Sequence, residues 1–100
     1  MEINDFNKQI LNSKGFTIID FWATWCGPCK IFGPIFEKVS KKIDDIKFYK
    51  MNVDQNKDIA KKYGVMSIPT IIFFKDGIEI KRNIGVLNEE ELVNFIKFKN

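Results

Sequence analysis

Among its 100 residues the chain has no histidine, two cysteines, three prolines, six glycines and a single arginine. Without histidine there is no imidazole general base, no Cys-His nucleophile pair, no His-ligated zinc and no CxxCH haem anchor. Arg82 is the only side chain able to fork onto a phosphate or a base edge, so nucleic acid is a poor partner despite a net charge of +3. The lysines are interleaved with acids, as in Lys57-Asp58 and Glu79-Ile80-Lys81, which is the pattern of a solvated surface. No apolar run approaches ~18 residues, and the start Met1-Glu2-Ile3-Asn4-Asp5 lacks the basic and apolar regions of a secretory signal. These absences predict no membrane segment and a cytoplasmic, reducing address.

What is present is apolar surface: 45% of residues are hydrophobic and 14% aromatic, the composition of a globular chain. One hundred residues suffice for one core, so a single domain over residues 1–100 is expected.

Asn4-Asp5 precede Phe6, Ile10 and Leu11 at helical spacing and Lys14-Gly15 end the pattern, which predicts a short helix from about Asp5 to Asn12 after a strand stub at Met1 to Ile3. Phe16-Thr17-Ile18-Ile19-Asp20-Phe21-Trp22 is β-branched and aromatic without clean alternation, as in a strand covered on both faces with parallel neighbours. From Cys29 onward, Ile31, Phe32, Ile35, Phe36, Val39 and Ile43 predict the apolar face of a helix, opposite Lys30, Glu37, Lys38, Lys41 and Lys42. Pro34 should kink that helix and not end it, because the periodicity continues beyond it.

Ile46 to Val53 reads as a second central strand, and Asn56 to Tyr63 as a short helix stopped by Gly64. Thr70 to Lys75, Asp76-Gly77 and the alternating Ile78 to Lys81 read as a β-hairpin. Asn88 with Glu91 signals the start of a last helix that buries Leu92, Val93, Phe95 and Ile96. With right-handed crossovers, this order gives an α/β fold: one mixed sheet with helices on both faces.

Both cysteines lie in Ala23-Thr24-Trp25-Cys26-Gly27-Pro28-Cys29-Lys30, between the first long strand and the long helix. Such a pair is open to three readings: half of a zinc site, a structural disulfide or a redox dithiol. Zinc would need two further ligands that the chain lacks as Cys or His, leaving only dimer or carboxylate ligation. A disulfide closing so short a loop removes little chain entropy, and a reducing compartment does not keep it. Redox chemistry is the reading these residues favour. If Cys26 is the helix N-cap, its sulfur faces the free N–H groups of the first turn, and Pro28 sits where an N–H is dispensable. Asp20 is foreign to its apolar strand; burial should raise its pKa, unless it belongs to a buried ion pair. The residues alone stop at a dithiol on an α/β domain. A binding module that uses only the fold stays open, as does an oxidant or isomerase.

Asp20-Phe21-Trp22-Ala23 and Trp25-Cys26-Gly27-Pro28-Cys29-Lys30, with Lys50-Met51-Asn52-Val53-Asp54, Ser67-Ile68-Pro69-Thr70 and Gly85, closely resemble the thioredoxin family over nearly the whole chain. The resemblance implies a thioredoxin fold and a protein-disulfide reductase working through the Cys26-Cys29 disulfide and a mixed-disulfide intermediate. It implies no cofactor in the chain itself, with electrons arriving from NADPH through a flavoprotein thioredoxin reductase. Disulfide-containing proteins would be the other partners, and the acting form a monomer.

By matching residues, Cys26 is expected to be the exposed nucleophile, Cys29 the buried resolving thiol, and Asp20 the carboxyl group that helps take the Cys29 proton, with Lys50 as its counterpart. The Ile68-Pro69 bond is expected to be cis and to face the dithiol, so that the Ile68 backbone pairs with an extended substrate. Trp25, Gly27, Pro28, Gly64 to Met66, Ile68, Pro69 and Gly85 would form the substrate surface. Thr24 and Met66-Ser67 depart from the commoner family pattern, which bears on partner choice.

Overall fold

The apolar run at residues 16–22 becomes the middle strand of the sheet in a computed structural model, which describes residues 1–97. This strand, β1 (Phe16–Trp22), lies parallel to β2 (Ile46–Asn52), with Asp20 opposite Lys50. On its other side it pairs antiparallel with β3 (Thr70–Lys75), which pairs antiparallel with β4 (Ile78–Ile84), giving the order β2-β1-β3-β4. Two expectations change here. β1 has one parallel and one antiparallel neighbour, and β2 is an outer strand, consistent with its exposed Lys47 and half-buried Tyr49 and Lys50. The amino-terminal stub covers part of its free edge: the Ile3 N–H donates to the Lys50 carbonyl and the Lys50 N–H to the Met1 carbonyl, both at 2.9 Å.

Successive side chains of a strand point to opposite faces, and here each face has its own core. On one face Ile18, Phe48, Ile71 and Phe73 meet Phe32, Phe36 and Val39 of α1 (Gly27–Ser40) and Leu92 and Ile96 of α3 (Glu89–Lys97). On the other, Ile19, Phe21, Met51, Ile72 and Phe74 meet Ile10 and, from α2 (Lys57–Lys62) and its end, Ile59 and Tyr63. Burial on both faces is why β1 and β3 lack polar alternation.

The segment expected as a first α-helix forms a π-helical turn over Asn7–Leu11, in which the Asn12 N–H donates to the Asn7 carbonyl at 2.9 Å. Its entry is held by side chains. Gln9 Oε1 accepts the N–H groups of Asn4 and Asp5, both at 2.9 Å, and Asp5 Oδ1 accepts that of Lys8 at 3.1 Å. The wider turn still buries Ile10.

α1 runs through Pro34 without ending, as its periodicity predicts. Ile31, however, is 63% exposed. The buried stripe is Phe32, Phe36 and Val39, and Ile31 is displaced from Phe32 by about 100° around the helix. The helix ends at Ser40, so Lys41 and Lys42 lie beyond it. α3 opens with a reciprocal cap: Asn88 Oδ1 accepts the Glu91 N–H at 2.8 Å, and Glu91 Oε1 accepts the Asn88 N–H at 2.9 Å.

β4 extends three residues past Lys81, and a register shift between Phe73 and Phe74 breaks its alternation at Ile80. The lone arginine ties this strand to α2. Arg82 donates twice to the Glu79 carboxylate and once to the Tyr63 carbonyl, each at 2.7 Å.

The hairpin turn has positive φ at both central residues, 51° at Asp76 and 82° at Gly77, as a type I′ turn requires. A Cβ on Gly77 would lie 2.4 Å from the Leu11 carbonyl oxygen, a backbone atom that cannot rotate away. Gly77→Ala is therefore expected to destabilise the protein by about 3 kcal/mol in urea denaturation, from strain and clash together. Gly15→Ala, at φ 84° with open space around it, should lose only about 1 kcal/mol. Equal losses for the two would refute the contact with Leu11.

Candidate active site

β1 delivers the chain to a turn at Thr24 and Trp25, after which α1 begins at Gly27 with Cys26 as its N-cap. Cys26 has extended backbone angles, φ −91° and ψ 110°, so its side chain turns back over the first helical turn. There its sulfur accepts the Cys29 N–H at 3.2 Å. Pro28 stands where a helix has no use for an N–H donor, so the sulfur serves one of the few donors that need it. Cys26 and Cys29 are joined in a disulfide, their Cα atoms 5.2 Å apart.

The sulfurs pack with Ala23, Trp22, Val53 and Ile68. The expectation of an exposed Cys26 beside a buried Cys29 does not hold in this disulfide form: the residues are 4% and 5% exposed. Packing against Ile68 and Val53 covers both alike. The exposed rim is made instead by Gly27, Pro28 and Trp25, the last 68% exposed.

The Ile68-Pro69 bond is cis. The Ile68 carbonyl oxygen lies 3.7 Å from Cys26 Sγ. The loop is tied down by the Thr70 hydroxyl, which donates to the Ser67 carbonyl at 2.5 Å, and by the Gly85 N–H, which donates to the Pro69 carbonyl at 2.8 Å. Ile68, Pro69 and Gly85 thus gather beside the dithiol. Pro69 itself is buried, Ile68 and Gly85 are half-buried, and Met66 projects outward at 95% exposure.

Asp20 lies on β1, six residues before Cys26, almost fully buried, and neither carboxyl oxygen has a hydrogen-bond partner among the described residues. Desolvation raises its pKa from 3.8 to about 7; the Lys50 ammonium lowers it in part and the Glu2 carboxylate raises it. The alternative of a buried ion pair is not what forms. Lys50 is the register neighbour of Asp20, yet its ammonium lies 5.1 Å from the centre of the Trp22 ring. A cleft of about 420 Å³ opens on the Cys29 side of the pair, lined by Trp22, Thr24, Cys29, Lys30, Glu37 and Lys50.

One participant escapes sequence reasoning. Asp54 Oδ2 accepts the Trp25 indole N–H at 2.8 Å, fixing that exposed ring over the rim, and the Asn52 side chain in turn accepts the Asp54 N–H at 2.9 Å. An exposed indole donor calls for an acceptor, but nothing local names a residue so far along the chain. Among the described residues no group of three His, Cys, Asp or Glu is placed to hold a metal ion, and no helix is long and apolar enough to cross a membrane.

Residues 1–98 match the family model described as Thioredoxin. The chain is 42% identical over 87 residues to the thioredoxin of Mycoplasma genitalium, covering 87% of this chain and 85% of that one. To the thioredoxin of Mycoplasmoides gallisepticum it is 45% identical over 89 residues, 89% of each chain. The solved structure of Malassezia sympodialis thioredoxin agrees at a TM-score of 0.86 with 40% identity, covering 96% of this chain and 86% of the other. Sheet order, a sulfur-capped helix carrying two cysteines, and these relatives converge: the chain belongs to the thioredoxin family of dithiol-disulfide oxidoreductases.

Proposed function

We propose that residues 1–100 act as one thioredoxin domain that reduces protein disulfides, with Cys26 as nucleophile and Cys29 as resolving thiol. The observation that carries this reading is the placement of Cys26 Sγ on the Cys29 N–H at the start of α1, 3.2 Å away. In the reduced protein that donor and the helix dipole favour a thiolate at Cys26.

The thiolate attacks one sulfur of the substrate disulfide. A Cys26-to-substrate bond forms, the substrate S–S bond breaks, and the departing thiolate takes a proton. Cys29 then gives its proton to Asp20 and attacks Cys26 Sγ, restoring the Cys26-Cys29 disulfide and freeing the second substrate thiol. Two electrons pass to the substrate. Proximity makes this second step fast, because the neighbouring thiol is held at high effective molarity. An unpaired carboxyl near pKa 7 suits Asp20 to accept a proton at neutral pH, and Lys50 tunes it from a distance.

The substrate is read by Trp25, Gly27, Pro28, Met66, Ile68 and Gly85, with the Ile68 backbone as the edge for an extended chain and buried Pro69 setting that edge. A flavoprotein thioredoxin reductase restores the dithiol with electrons from NADPH. The protein works as a monomeric electron carrier in the cytoplasm, a reducing compartment in which a dithiol persists.

Insulin reduction with dithiothreitol as donor tests the assignment. Cys26→Ser should fall to background, and Cys29→Ser should accumulate a covalent substrate adduct detectable by mass spectrometry. A Cys26→Ser variant as active as wild type overturns the nucleophile. A reduction potential far above that of the glutathione pool would make the protein an oxidant instead.

Asp20 gives a pH signature. Between pH 3.8 and about 7 the folded chain keeps a proton that the unfolded chain has released, so stability falls as pH rises through that window and levels off above it. The fall amounts to roughly 4 kcal/mol at most. Asp20→Asn should flatten this slope in urea denaturation of the oxidised protein, leaving the variant more stable than wild type at pH 8. It should also slow insulin reduction at pH 7 about 100-fold, the low end of general-base effects. An unchanged slope would show that the carboxyl is not buried and unpaired.

A further inference from the structure

Beside the dithiol a second cleft, of about 490 Å³, opens between α2 and the loop that leads to Ile68, lined by Val53, Asp54, Lys57, Lys61, Val65 and Met66. It is continuous with the site. Val53 packs against the two cysteines, Asp54 holds the Trp25 indole, and Met66 stands two residues before Ile68.

Two features of its walls work against stability. Lys57 and Lys61 stand four residues apart on α2, a like-charge spacing that weakens a helix, and both are exposed. Unlike Lys38, Lys42 and Arg82, neither cleft lysine forms an ion pair with a described residue. Met66 leaves a large apolar side chain 95% exposed on the same rim. The one acid in the lining, Asp54, is turned to the Trp25 indole; Asp58, three residues before Lys61, lines the adjoining cleft instead. The cleft therefore combines an apolar shelf with two exposed ammonium groups that form no ion pair among the described residues.

We propose that this cleft takes the acidic stretch flanking the disulfide of a protein substrate, one apolar side chain lying on Val65 and Met66 and a carboxylate meeting Lys57 and Lys61. The inference rests on the reading of Cys26 as the nucleophile toward such disulfides. It names the class of substrate preferred: segments in which the half-cystine is followed by an apolar residue and acids. The charges act on docking, where complementarity raises encounter rates and is screened by salt.

Two oxidised peptides test it, identical except that one carries Glu-Glu and the other Lys-Lys beyond a leucine next to the half-cystine. The rate of reduction by the reduced protein is divided by the rate of the same peptide with dithiothreitol, which removes intrinsic differences in the leaving thiols. Wild type should prefer the Glu peptide about tenfold at low ionic strength, with the ratio falling toward unity in high salt. The double variant Lys57→Glu, Lys61→Glu, its fold checked by circular dichroism, should invert the preference, and Met66→Gln should slow both peptides.

A wild-type ratio near unity, or one the double variant leaves unchanged, overturns the inference. Sedimentation that shows a dimer dissolved by the charge reversal would assign the cleft to a second copy of the chain and overturn it too. Failure of wild type to reduce neutral bis(2-hydroxyethyl) disulfide would instead refute the redox reading itself.

Discussion

A helix start leaves amide donors without partners, and in this protein one of them is answered by a sulfur. The bond from the Cys29 N–H to Cys26 Sγ fixes where α1 begins, and hence where its buried stripe of Phe32, Phe36 and Val39 meets the sheet. An ordinary cap would be a serine or aspartate oxygen, which is a better acceptor than a neutral sulfur. The arrangement gains strength only when the sulfur is charged, because a charge-assisted bond is stronger and lies at the positive end of the helix dipole. Structure and chemistry thus share one contact: the atom that ends the turn after β1 is the atom whose ionisation the helix rewards.

Asp20 is the complementary constraint. β1 is buried on both faces because helices cover the sheet on both sides, and the Asp20 carboxyl is shut off from solvent with no hydrogen-bond partner among the described residues. The Lys50 ammonium stands nearest in register but lies against the Trp22 ring, so the carboxyl is influenced by a charge that it does not bond. A direct ion pair would lower the pKa of Asp20 and make it a weak base; complete isolation would drive its pKa well above neutrality and keep it protonated. The intermediate placement leaves it near neutral pH. That local rules of burial fail at this residue, six positions before Cys26, fits the tendency of such exceptions to gather at functional sites.

What could be read from the sequence follows the range of the interactions. β1, the passage of α1 through Pro34, the Asp76-Gly77 turn and the Asn88-Glu91 cap all depend on residues within a few positions of one another, and each formed as expected. The misses depend on contacts across the chain. The outer position of β2 is set by which strands pair with β1, the exposure of Ile31 by the angle at which α1 lies on the sheet, and the covering of Cys26 by Ile68 and Val53 from two distant segments. The π-helical turn is a further case, because Gln9 answers the donors of Asn4 and Asp5 by a choice of rotamer that residue type does not specify. For the site, the dithiol and Asp20 announce themselves by composition, whereas the Trp25-Asp54 bond joins residues with no local signal.

Charge around the dithiol has to satisfy two opposed demands. A thiolate at Cys26 repels an acidic substrate, and a lysine placed directly against the sulfur would relieve that repulsion only by making the thiolate a weaker nucleophile, since nucleophilicity falls as thiol pKa falls. Lys57 and Lys61 lie on α2, across Val53 and the Trp25-Asp54 pair from the sulfurs, where they can attract an approaching carboxylate while the sulfur's own environment stays governed by the helix start. Separating attraction from activation in this way lets substrate preference change through α2 without altering the chemistry at Cys26. On this argument the first turn of α1 is the part of the surface with least freedom to vary, and the cleft wall the part with most.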